Sequence, residues 1–186
     1  MRNLFMLAIM LLWTSWVQAA SIEPVRASIF PTEDGYALSA DFAIDLGPRA
    51  EEVVSRGVPL YFNLELDVTR PRKYWVDEHV LGYALTYRLT YNALTRNYRL
   101  GTGGGLGRSF DTLADALRAM GRIAALPVAG KGKFRPDETY QAVLRLSFDR
   151  GQLPKPFQLD ALISRDWQID IKVLRWQFPL TEQDAK

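Results

Sequence analysis

Over much of the chain hydrophobic side chains fall on every second position, the spacing that places them on one face of a β-sheet. Leu38, Ala40, Phe42 and Ile44 alternate with Ser39, Asp41 and Asp45, and Phe62, Leu64, Leu66 and Val68 alternate with Asn63, Glu65, Asp67 and Thr69. A longer stretch, Leu81, Tyr83, Leu85, Tyr87, Leu89 and Tyr91, is rich in the aromatic residues that favour strands, and Tyr98 and Leu100 begin its hairpin partner across 92–96. Tyr140, Ala142, Leu144, Leu146 and Phe148 give another strand, closed by the turn Asp149-Arg150-Gly151. Val25, Ala27 and Ile29 form a weaker first strand. Toward the end the parity changes: Ile169, Ile171 and Val173 share one face, whereas Leu174, Trp176 and Phe178 share the other. A β-bulge near Val173-Leu174 would keep both sets inward.

Two segments carry helical signals instead. Pro48 suits a first helical position, Glu51 and Glu52 follow early, and Gly57 suits a stop, which predicts a helix over 48–56. Ser109 suits an N-cap for a second helix, with Leu113, Leu117 and Met120 on one stripe and Arg118 and Arg122 late. The spacing over 157–163 fits a helical turn or irregular chain equally well. In/out alternation favours antiparallel pairing, because buried parallel strands read as continuous apolar runs. The expected fold class is therefore mostly β: an antiparallel two-sheet sandwich, immunoglobulin-like in general shape, with one or two short peripheral helices.

The N-terminus adds a location. A basic start at Arg2, an apolar stretch over 4–16 and small residues at Ala19 and Ala20 are the pattern of a cleaved signal peptide, with cleavage after Ala19. The apolar stretch is shorter than the roughly 20 residues that span a bilayer core, so a retained anchor is the alternative reading. Removing residues 1–19 from the 186 leaves 167, the size of one domain, 20–186. The expected compartment is the periplasm. The chain has no cysteine, which rules out thiolate metal sites, disulfides and a lipidated leader. The formal charge of +2 includes Arg2 and is no nucleic-acid footprint.

Each candidate for chemistry has a plainer alternative. The cluster over 101–109 lies between a strand and a helix, as a phosphate loop would, but Thr102 stands where that motif needs glycine and Arg108 where it needs lysine. A flexible loop at Gly103, Gly104 and Gly105 is the simpler expectation. His79 is the single histidine, so no two-histidine metal site can form, and no serine sits in a nucleophile elbow. Neither a cofactor nor a catalytic residue is expected. Arg70-Pro71-Arg72-Lys73-Tyr74-Trp75 mixes three cations with two aromatic rings at a turn. Such a mixture suits anions, lipid headgroups or a protein partner, and its plain alternative is a loop with Trp75 tucked into the core. Arg96, Arg99 and Arg108 would join this patch if the hairpin brought them near. Leu153-Pro154-Lys155-Pro156-Phe157 reads as a rigid connection or as an extended proline-rich ligand.

Three segments taken together carry a resemblance: Gly57-Val58-Pro59-Leu60-Tyr61-Phe62 running on to Arg70-Pro71-Arg72-Lys73-Tyr74-Trp75; 87–98, Tyr-Arg-Leu-Thr-Tyr-Asn-Ala-Leu-Thr-Arg-Asn-Tyr; and Leu153-Pro154-Lys155-Pro156-Phe157-Gln158 with Asp166-Trp167. The chain resembles the domain of unknown function 4390 family, exported proteobacterial proteins also labelled proline-rich signal peptide proteins. That family has no assigned activity or catalytic residues. Its members are often encoded beside a membrane sensor kinase of the nitrogen-regulation type, which implies an envelope-signalling partner. The expectation is a periplasmic, non-catalytic binding or accessory module whose partner is an envelope or inner-membrane protein, such as a sensor histidine kinase, with peripheral membrane contact and no nucleic acid. Its expected contacts are Arg70, Arg72, Lys73, Tyr74, Trp75, Arg96 and Arg99. The alternatives are a glycan-acting enzyme with paired carboxylates and a structural protein that binds envelope lipid or peptidoglycan.

Overall fold

The computed structural model describes residues 20–103, 105 and 107–180; the leader at 1–19, with Ala19, and loop residue Gly104 lie outside the described residues. The alternating segments form strands β1 (Ser21–Thr32), β2 (Gly35–Asp45), β3 (Leu60–Arg70), β4 (Glu78–Asn92), β5 (Asn97–Thr102), β6 (Arg108–Phe110), β7 (Arg122–Gly130), β8 (Thr139–Phe148), β9 (Asp170–Ile171) and β10 (Leu174–Pro179). Helices α1 (Gly47–Ser55), α2 (Leu113–Gly121) and α3 (Lys155–Ile163) lie between them. The strands make two sheets, a curled one in the order β7-β2-β1-β9 and a six-stranded one in the order β10-β8-β3-β4-β5-β6. The larger sheet is antiparallel throughout. The smaller is antiparallel apart from the two-residue parallel pairing of β1 with β9. The expected two-sheet, mostly β architecture is what the chain adopts, with three short helices rather than one or two.

The core follows from parity and register. On β3, Leu60, Phe62, Leu64, Leu66 and Val68 are fully buried. Leu64 faces Leu85 on β4 and Leu146 on β8, and Leu66 faces Tyr83 and Leu144, so one inward row continues across three strands. Tyr36, Leu38, Ala40 and Phe42 of β2 belong to the same buried cluster from the other sheet. Each large aliphatic or aromatic side chain among them contributes about 1.5–3 kcal/mol on burial, and the alternate positions of β3 are half-buried or exposed. α1 and α2 cover the core with Ala50, Val53 and Val54 and with Ala116, Leu117 and Met120.

Several local expectations are corrected. The parity change after Val173 is not a bulge: β9 belongs to the curled sheet and β10 to the six-stranded one, so the chain crosses between sheets at 172–173. Ser109 does not cap α2 but lies in the short strand β6; the Asp115 backbone N–H donates to Thr112 Oγ1 at 3.1 Å, which makes Thr112 the cap. The glycine cluster accordingly joins two strands of a hairpin, β5 and β6, rather than a strand and a helix. Arg122 is the extended C-cap that follows Gly121 of α2 and at once opens β7, whose pairing with β2 shifts register twice and whose Ala125 has a left-handed φ of 50°. Val25 falls at a register shift between Pro24 and Arg26 and is 68% exposed, so only Ala27 and Ile29 of its trio pack on the core. In α1, Glu51 and Glu52 lie past the first turn, and Glu52 instead pairs with Arg49 at 3.1 Å and Arg56 at 2.6 Å.

The segment that fits helix or coil equally is α3, begun by Pro156 in its first turn, where a missing N–H costs nothing. The Pro-x-Pro stretch is thus a helix start. Trp167, 1% exposed, stacks on Phe148 at 6.2 Å and donates from Nε1 to Asp160 of α3 at 2.9 Å. Arg49 of α1 donates to the same carboxylate at 2.6 Å, so Asp160 ties both helices to the core tryptophan.

Candidate functional site

β3 ends and β4 begins at the facing pair Arg70 and Glu78, which leaves seven residues, 71–77, to make the turn. Ion pairs hold it. Arg70, with its side chain 13% exposed, donates to Glu78 and, at 3.1 Å, to Glu138 from the connection before β8. Arg72 also donates to Glu78, and its backbone N–H reaches Asp77 Oδ1 at 3.4 Å. The two guanidinium groups, Arg72 and then Arg70, hold the Glu78 carboxyl below the ordinary range, and Glu78 raises Arg70 in return. Lys73 carries its ammonium 5.6 Å from the Tyr74 ring centroid, a cation–π contact.

Both arginines are therefore paired inside the turn, Lys73 makes no ion pair among the described residues, and the large side chains the turn offers outward are apolar. Tyr74, Trp75 and Val76 are 82%, 80% and 89% exposed. Trp75 is not tucked into the core. Three consecutive large apolar side chains on a braced turn form a contact tip of the kind that anchors interfaces. The two arginines brace it through Glu78 and Glu138.

The remaining predicted residues lie elsewhere. Arg96 occupies the β4–β5 turn with φ 52°, and Arg99 faces Thr90 on β5, toward the opposite end of β4 from Arg70. At about 3.3 Å per residue those two ends of a 15-residue strand are roughly 45 Å apart, so Arg96 and Arg99 do not join the tip. Arg108 lies over Phe110 at 5.4 Å and is likewise remote from it. Gly103 has a left-handed φ of 53° and its N–H donates to Thr86 O, while Gly105 N–H donates to Thr102 O at 3.0 Å. His79 stands on β4, 3.6 Å from Asp67. Val76 belongs to the tip and was not among the expected contacts; its place beside Trp75 in the turn was the available signal.

A cleft of about 850 Å³ lies where β6 and α2 meet the edge of the curled sheet. Of its three lining carboxylates, Asp41 pairs with Arg26, and Asp115 with Arg118 at 3.1 Å and with the α2 cap, whereas Asp111 makes no ion pair among the described residues. Among the described residues no group of three or more aspartate, glutamate and histidine side chains is placed to hold a metal ion, and no helix is long and apolar enough to cross a membrane.

Fold and turn together define the class first: a two-sheet, mostly β protein that displays an aromatic turn from its larger sheet. The chain belongs to the family described as a domain of unknown function, DUF4390, whose model matches residues 19–177 and so includes the turn and all three segments that carry the resemblance. None of the curated proteins and none of the solved structures is significantly similar to it.

Proposed function

We propose that the chain is an exported, non-catalytic binding module of the cell envelope that docks on an envelope or inner-membrane protein through the Tyr74-Trp75-Val76 tip. One observation carries this reading: three adjacent large apolar side chains, each at least 80% exposed, on a turn whose arginines are occupied by Glu78 and Glu138. Keeping such side chains in water forgoes their burial, about 1.5–3 kcal/mol each, unless a partner covers them. Pairing of Arg70 and Arg72 within the turn leaves Lys73 as its one unpaired cation among the described residues, fewer than the cluster of cations that an anionic lipid surface recruits, which favours an apolar protein surface. Within the partner class a membrane sensor histidine kinase comes first, on the gene neighbourhood that the resemblance implies. The periplasm is the compartment, and Ala20 is the first residue after cleavage.

The test is co-isolation of the tagged chain with membrane proteins in mild detergent, wild type against the triple variant Tyr74→Ser, Trp75→Ser, Val76→Ser. The proposal expects one membrane protein to be retained by the wild type and lost from the variant, with the variant still folded and unfolding cooperatively. Equal retention by both would overturn it.

A further inference from the structure

On the outer face of the six-stranded sheet, an arginine is matched by a carboxylate where β8 meets β3, and arginines are unmatched toward the far end of β4. Arg145 donates to Glu65, and His79 lies beside Asp67. Further along, the same face carries Arg88 and Arg99, which share a cavity with no carboxylate among its described lining residues. Arg88 faces Gly101, and Thr90 faces Arg99, so the two arginines are diagonal neighbours on adjoining strands, on the side opposite the buried Leu89 and Leu100. Such neighbours have Cβ atoms about 7–8 Å apart, within reach of long side chains. Among the described residues neither guanidinium makes a hydrogen bond or an ion pair. Like charges set side by side on a sheet repel, and the usual remedy of an acid across the strand pair is missing.

The two arginines open into a cavity of about 510 Å³ that is also lined by Thr90, Gly101, Gly105 and Gly107. A Cβ added at Gly101 would lie 3.6 Å from the Gly105 carbonyl oxygen and 3.7 Å from Gly107 Cα, so the bare glycine keeps the space beside Arg88 open. We propose that this cavity binds a phosphate-type oxyanion, with Arg88 and Arg99 each presenting a guanidinium fork and Thr90 a hydroxyl donor. Two unopposed positive charges match a doubly charged group, whereas a single carboxylate is satisfied by one fork. The site lies roughly 30 Å along β4 from Glu78, so it stands or falls independently of the aromatic tip.

The experiment titrates inorganic phosphate into the folded chain and follows amide NMR shifts, with acetate as the comparison anion. Phosphate should give saturable shifts at Gly101, Gly105 and Gly107, weakened about tenfold or more by Arg88→Gln or Arg99→Gln, as expected for loss of a charge-assisted hydrogen bond. Gly101→Val should weaken it as well, by filling the cavity without altering charge, and acetate should bind more weakly. A second arm floats the protein with phosphatidylcholine vesicles with and without phosphatidic acid. Flotation that needs phosphatidic acid and both arginines assigns the phosphate to a lipid headgroup; phosphate shifts without flotation assign it to a soluble phosphate. Without such flotation, shifts that do not saturate, that survive both arginine substitutions, or that acetate reproduces equally well would overturn the proposal.

Discussion

Replacing one tryptophan of the tip and one of the core separates a contact surface from a packed one. Trp75 is 80% exposed, so it hides about one fifth of a surface of about 250 Å². That is roughly 50 Å², and at about 25 cal/mol per Å² the Trp75→Ala change costs at most about 1.2 kcal/mol. The figure is an upper bound, since an unfolded chain already shields part of the ring. Trp167 is 1% exposed, stacks on Phe148 and donates to Asp160. Its removal leaves a cavity and takes one of the donors from Asp160, which together cost about 3–5 kcal/mol. Urea unfolding of the two variants with a common slope reads the difference directly as a shift in midpoint. A loss of about 3 kcal/mol in Trp75→Ala would mean that the ring is packed and would refute the account of the tip.

Three further predictions follow from local geometry. Thr112→Ala should cost about 1 kcal/mol through loss of the α2 cap, while Ser109→Ala stays within about 0.5 kcal/mol; equal effects in denaturant would restore Ser109 as the cap. Gly35 combines a φ of 148° with a site where a Cβ would meet the Ala129 carbonyl oxygen at 2.2 Å, whereas a Cβ at Gly130 meets nothing within 4 Å. Gly35→Ala should therefore lower the melting temperature sharply and Gly130→Ala hardly at all, and similar melting temperatures would contradict the β1–β2 and β2–β7 geometry. Trp167 and then Arg49 hold the Asp160 carboxyl below its ordinary range. Because its folded pKa is depressed, its stabilisation is present above the unfolded value of about 3.9 and lost as pH falls through the folded one. Asp160→Asn should flatten the fall in melting temperature over that acid range, and an unchanged profile would count against the link.

What the sequence disclosed and what it hid divide along physical lines. β3 is readable because both of its neighbours are in the sheet and one face is buried from end to end, so Phe62, Leu64, Leu66 and Val68 must alternate with polar residues. β7 is not readable, because it is an edge strand with Pro127 in it and two register shifts, and its start runs on without a break from the helical stripe of α2. A bulge and a crossing between sheets leave the same parity change, and the pairing partners of Ile171 and Leu174 decide between them. At the tip, the residue types were legible and their exposure was not. Whether Trp75 points inward depends on the bracing of Arg70 by Glu138, a partner 68 residues away. The Arg88–Arg99 pair was hidden in the same way, since the hairpin register alone makes them neighbours.

The most direct test of the central claim is photocrosslinking in living cells, with a photoreactive residue in place of Trp75 and, in a second strain, in place of Leu94. Leu94 is 95% exposed in the turn at the other end of β4, so it matches Trp75 in access to a partner but not in position. The account predicts a discrete adduct with one membrane protein from position 75 and none from position 94. The same adducts from both positions, or none from position 75, would contradict it.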